Sequence, residues 1–160
     1  VEALTGRRAE DAGILSRATV DMARYGATLP ANARDAGLAY FKQLTQDFVA
    51  FFQQFDVWLT PTIPVEAPLL GYLSHDTPFD RALERNRQLL GYTLAANGIG
   101  APAMSVPLFH SSITGLPIGS HFMAAPGEDR MLYELAFELE AAKPWAQRWA
   151  PHSAMRLRQY

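Results

Sequence analysis

The stretch NGIGAPAMSVP, Asn97 to Pro107, decides how the rest of the chain is read. Gly98, Gly100 and Ala103 fit a loose G-x-G-x-x-A pattern, the mark of a loop that cradles a pyrophosphate. That role needs a strand before the first glycine and a helix after the last, because the N–H groups of the helix start meet the phosphates. Here the order is reversed. The residues before Asn97 have helical periodicity from about Phe79 to Ala96, and AMSVPLF after the glycines reads as a strand. Pro102 also removes a backbone donor. The stretch is therefore a helix-to-strand joint: Asn97 and Gly98 stop the helix, Pro102 stiffens the entry, and Ser105 rides the strand. A nucleotide-binding reading is set aside.

Toward the C-terminus, LPIGSHFMAA (Leu116 to Ala125) is a second strand. HSSITG, His110 to Gly115, joins it to the first as a hairpin with a loop of about six residues. PGEDRMLYELAFELEAAK predicts a helix burying Leu132, Leu135, Ala136 and Leu139. Glu128 and Asp129 suit its positive end. PWAQRWAP reads as a terminal turn packing two tryptophans, and MRLRQY as a mobile tail.

Toward the N-terminus, FDVWLTPTIP is a short buried strand running into a stiff loop. Val65 to Pro78 is irregular, and Asp76, Thr77 and Pro78 can start the helix at Phe79. One helix is expected over Ala9 to Tyr25, ended by Gly26, and another over Asp35 to Gln54. The aromatic stripe of the second, including Phe41, Phe48, Phe51 and Phe52, reads as core packing rather than as a ligand box. The fold class is α/β: residues 1–55 mainly helical, 56–125 strands plus one helix, 126–150 a terminal helix and turn. The three strands, Val57–Thr60, Met104–Leu108 and Ile118–Met123, either stand alone or form part of a larger sheet.

Composition narrows the function classes. Of 160 residues, 49% are hydrophobic and 19% charged, enough for a core and unlike a disordered chain. With a net charge of −2, no basic excess points to nucleic acid or an anionic membrane, and a small charged ligand is not excluded. No apolar run reaches the roughly 18 residues of a membrane span. The absence of cysteine removes thiolate chemistry and fits a reducing compartment, so a cytoplasmic location is expected. The start, VEALTGRRAEDAG, lacks a signal core and an initiator methionine, so the chain is expected to be a processed chain or a fragment.

No complete catalytic set is visible. His75, His110, His121 and His152 have no metal-ligand spacing, so no metal is expected. His121 lies on a strand and faces one side of it; the plainer reading is an ordinary histidine, the sharper one a base awaiting a nucleophile. Ser105, Ser111 and Ser112 lack a nucleophile-elbow motif, and there is no S-x-x-K. Lys42 and Lys143, the two lysines, read as solvated helix charges. Glu134 and Glu138 share a helix face, as solvent-facing carboxylates commonly do.

Three pieces in order carry a resemblance. Asp56 precedes an apolar run and Thr60-Pro61-Thr62. Asn97, Gly100, Pro102, Ala103, Ser105 and Pro107 follow. Leu116-Pro117-Ile118-Gly119 and then Gly127 and Asp129 complete the pattern. In this order and spacing the chain resembles the C-terminal portion of amidase-signature hydrolases, and most of all bacterial amidases similar to 6-aminohexanoate-cyclic-dimer hydrolase.

The resemblance implies a large α/β unit, with helices packed on part of a mixed sheet. It implies hydrolysis of carboxamide C–N bonds without a cofactor, through a Ser–cis-Ser–Lys triad outside this chain, so that this chain alone is expected to be inactive. It places Thr60, Thr62, Thr93 and Asn97 on the substrate side of the pocket, although capping of helix and strand ends explains them equally well. Leu90 stands where the tRNA-dependent amidotransferases of the family carry an acidic residue, which argues against that branch. The expected partners are a small-molecule amide and either the missing N-terminal part or a partner chain, with a homodimer as one arrangement. The alternative is a non-catalytic packing or binding module that pairs with a separate chain.

Overall fold

The computed structural model describes residues 6–8, 15–74, 77–150 and 153–154. The expected stretches around Asp76 and His75, Ala9 to Ile14, His152 and most of the C-terminal tail lie outside these residues.

Helix α1 spans Arg17–Ala27, and Ser16 caps it by accepting from the Thr19 N–H. Gly26 does not end this helix as expected. The helix runs one residue further, and the Thr28 hydroxyl closes it by donating to the Tyr25 carbonyl at 2.7 Å. Helix α2 spans Ala33–Phe51 and carries the aromatic stripe, with Phe48 5.3 Å from Trp58 between ring centroids. Strand β1, Val57–Pro61, follows.

The single helix expected over residues 79–96 is two: α3, Phe79–Leu89, and α4, Thr93–Ile99. The break falls at Leu90–Tyr92, where Pro64 of the loop after β1 lies against Gly91; a Cβ there would stand 2.7 Å from the proline Cγ. Nor do Asn97 and Gly98 stop α4. Both lie inside it, and Gly100 terminates it at φ 69°, the left-handed conformation that glycine adopts without penalty. Gly98 instead lets the helix approach α2, because the Phe41 ring occupies the space a Cβ would need.

Strands β2, Ala103–His110, and β3, Pro117–Ala124, form the expected hairpin. The sheet order is β1-β3-β2, and both outer strands are antiparallel to β3. β1 and β2 therefore run the same way with β3 between them, joined by the α3–α4 crossover. In β2 the register takes three steps from Val106 to Phe109 while β3 takes two from Ser120 to Ile118. This bulge coincides with Pro107, which cannot donate to the ladder.

The sheet is covered on both faces. Helix α5, Asp129–Ala142, seats Leu132 against Val106, Leu108, Phe122 and Ala124. On the other face α4 and α2 close over Met123 and Trp58, with Ala96 and Ile99 innermost. Period-2 alternation along β3 sends Phe122 to one layer and Met123 to the other.

Candidate functional site

Register places three polar side chains in a row across the sheet. Thr60 of β1 pairs with His121 of β3, and Ser105 of β2 pairs with the same histidine. Directly opposed residues of antiparallel strands point to the same face, so the row shares the face of Trp58 and Met123. The Thr60 hydroxyl and His121 Nδ1 share a hydrogen bond of 3.3 Å. Two residues on from Thr60, the Thr62 hydroxyl bonds to the Ser105 hydroxyl at 2.5 Å, and the Thr62 N–H donates to the Gly119 carbonyl at 2.9 Å. Gly119 lies beneath this pair; any side chain there would run into both hydroxyls.

His121 is 4% exposed and Thr60 9%. Burial lowers the His121 pKa below its ordinary value of 6.5, since the imidazolium would lose its hydration without gaining a counter-ion. The ring is therefore neutral at pH 7, with Nδ1 fixed on Thr60. No buried side-chain nitrogen or oxygen among the described residues lacks a partner, so the buried Thr60–His121 pair is satisfied, while Ser105 at the end of the row is exposed and bonded to Thr62.

The other two expected site residues lie elsewhere. Thr93 and Asn97 sit one turn apart on α4, Thr93 half-buried and Asn97 exposed. Neither is bonded to the row. The structure thus brings together Thr60 and Thr62, and adds His121, read from the sequence as an ordinary histidine or a base without a visible partner, and Ser105, read as a strand residue of the motif. Cross-strand register is the signal that joins them, and it is not written in either strand alone.

The row has hydroxyls and one neutral imidazole but no lysine. Lys42 is exposed on α2. Lys143 caps the far end of α5, with Nζ 4.1 Å from the centroid of the Phe109 ring. Among the described residues no three histidines, cysteines or acidic residues converge to hold a metal ion, and no helix is long and apolar enough to cross a membrane.

The amidase family matches residues 5–133. A putative amidase, AmiC, of Mycobacterium leprae is 41% identical over 106 residues, covering 66% of this chain and 22% of the relative. The 6-aminohexanoate-cyclic-dimer hydrolase of Paenarthrobacter ureafaciens is 33% identical over 99 residues, 58% of this chain and 20% of that protein. A solved 6-aminohexanoate cyclic dimer hydrolase superposes with a TM-score of 0.69 at 27% identity, covering 92% of this chain and 32% of that one. The chain thus spans between about a fifth and a third of the length of these relatives. The match runs through both helical layers and the sheet, and the chain belongs to the amidase family.

Proposed function

We propose that this chain is part of an amidase that hydrolyses non-peptide carboxamide C–N bonds, and that it supplies scaffold and substrate-side groups rather than the nucleophile. The observation that carries this reading is the composition of the polar row. Thr60, Thr62 and Ser105 are weak nucleophiles at neutral pH unless a base takes their proton. The one imidazole in reach meets the Thr60 hydroxyl, not that of Ser105, and lies closed beneath the sheet's helical cover. The Ser–cis-Ser–Lys triad of the proposed mechanism comes from the remainder of the protein. The lysine of that triad must be neutral to accept the serine proton, and a preorganised set of N–H donors stabilises the tetrahedral oxyanion. Thr60, Thr62, Thr93 and Asn97 shape the substrate side, Thr60 through its bond to His121, and no metal or organic cofactor is required.

The test compares the 160-residue chain with the product of its complete reading frame. Hydrolysis of simple carboxamides and labelling by a fluorophosphonate probe are expected for the complete protein and not for the chain alone. Labelling of the isolated chain overturns the division of labour.

A second reading, a packing module that pairs with a separate chain, has one observation in its favour. Leu94, Tyr133 and Phe137 stand more than half exposed on α4 and α5. Sedimentation of the isolated chain as a soluble monomer argues against this reading.

A further inference from the structure

A cavity of about 250 Å³ opens between the loop after β1 and the start of β3. Pro61, Ile63, Pro64, Val65 and Ile118 give it apolar walls, and Glu66 is its one charged side chain. Glu66 is held in place. The Thr114 hydroxyl of the hairpin connector donates to its Oε2 at 2.8 Å. The neighbouring Ser111 Oγ already accepts from the Ile113 and Thr114 N–H groups at 3.2 Å each, which leaves its own proton for the carboxylate. Ser111 and then Thr114 hold the Glu66 carboxyl below the usual carboxylate range, so it is charged at neutral pH. No lysine or arginine among the described residues pairs with it.

An oriented anion at the edge of a small apolar cavity, with no lysine or arginine on it among the described residues, is complementary to an alkyl chain ending in a positive charge. We propose that this cavity is a subsite for a primary aliphatic ammonium group, with the alkyl chain against Ile63, Val65 and Ile118 and the ammonium on Glu66. The volume lies below the roughly 300–1,000 Å³ of drug-sized sites, which restricts the occupant to a short arm. The cavity is adjacent to the polar row, because Gly119 lines it and also underlies the Thr62–Ser105 pair. Resting on the amidase reading, the ammonium has two sources, a charged arm of the amide substrate or the amine released when the C–N bond is cleaved.

The experiment uses the complete protein, and Glu66→Gln as the variant, because the amide oxygen still accepts from Thr114 while the charge is gone. Hexylammonium and hexanol are titrated into both proteins by NMR, following the Ile63 and Ile118 methyl groups. Wild type is expected to bind hexylammonium more tightly than hexanol by about two- to fivefold, the range of a solvent-accessible ion pair, and E66Q to lose that preference. In turnover, a substrate-arm source appears as a KM preference for an ammonium-ended amide over a hydroxyl-ended one that E66Q abolishes. A product source appears as competitive inhibition by hexylammonium that E66Q relieves. Equal binding of the two probes by wild type, or a preference that survives in E66Q, overturns the subsite. Failure to hydrolyse any amide overturns the amidase reading and leaves the titration to decide the subsite separately.

Discussion

Thr60 and His121 occupy paired positions on β1 and β3, and the threonine hydroxyl fixes the histidine Nδ1 at 3.3 Å inside the sheet's helical cover. The pair makes folding pH-dependent in one direction. The folded histidine has a pKa lowered by burial, whereas the unfolded one titrates near 6.5. Between the two values the unfolded state holds the extra proton, so stability rises with pH through that window. The contribution is complete above pH 6.5 and is lost as acidification passes toward the folded pKa. Urea midpoints at pH 7.5 and 5.5 are expected to fall on acidification, and less steeply in His121→Gln. An equally steep fall in that variant assigns the effect to other groups.

Thr60→Val keeps the shape of the threonine but leaves Nδ1 without a partner in a buried site. A loss of about 1–3 kcal/mol is expected in denaturant unfolding. Thr60→Ser, which keeps the hydroxyl, recovers most of it.

Gly98→Ala sets two effects against each other. Alanine favours a helix interior by about 1 kcal/mol over glycine, but here its Cβ enters the space of the Phe41 ring. Overpacking of this kind costs about 1–3 kcal/mol, so net destabilisation is expected. Phe41→Leu in the same chain should relieve it, and a double-mutant cycle on urea midpoints reads the coupling directly.

Gly119→Ala meets the Thr62 and Ser105 hydroxyls together. Both are held by their mutual bond, so neither yields without breaking it. A destabilisation of about 1–3 kcal/mol is expected, partly restored by Ser105→Gly. The predicted order of melting temperatures is wild type, then G119A/S105G, then G119A.

Leu132→Ala and Tyr133→Ala test the orientation of α5. Leu132 is 4% exposed against the sheet, and its truncation should cost about 2–5 kcal/mol. Tyr133, one residue on, is 70% exposed, and its truncation in the isolated chain should stay within about 0.5 kcal/mol. Comparable losses at both positions would falsify the assigned face.

Much of the fold can be read from the sequence wherever a segment carries its own signal. Strand β3 was expected over Ile118–Met123 and spans Pro117–Ala124; α5 starts at Asp129, where the acidic residues stand. The segment from 79 to 96 could not be read this way. Its helical periodicity continues through Gly91, and one glycine weakens a helix by about 1 kcal/mol without breaking it. The break coincides with the close approach of Pro64, a contact between residues 27 positions apart.

The site divides in the same way. Thr60, Thr62 and the helix-to-strand joint are legible because the TPT and NGIGAPAMSVP motifs are local. His121 meets Thr60 and Ser105 only through pairing, since one step of register in β3 would send it to the opposite face. The sequence by itself determined the α/β class, the order of the elements apart from the division of α3 from α4, and the family to which these motifs belong, because periodicity, turn residues and motif order are properties of short stretches. The tertiary structure alone decided which polar side chains meet, where α3 gives way to α4, and that Glu66 faces an apolar cavity. Each depends on the close approach of segments distant in the chain, and no local propensity encodes that distance.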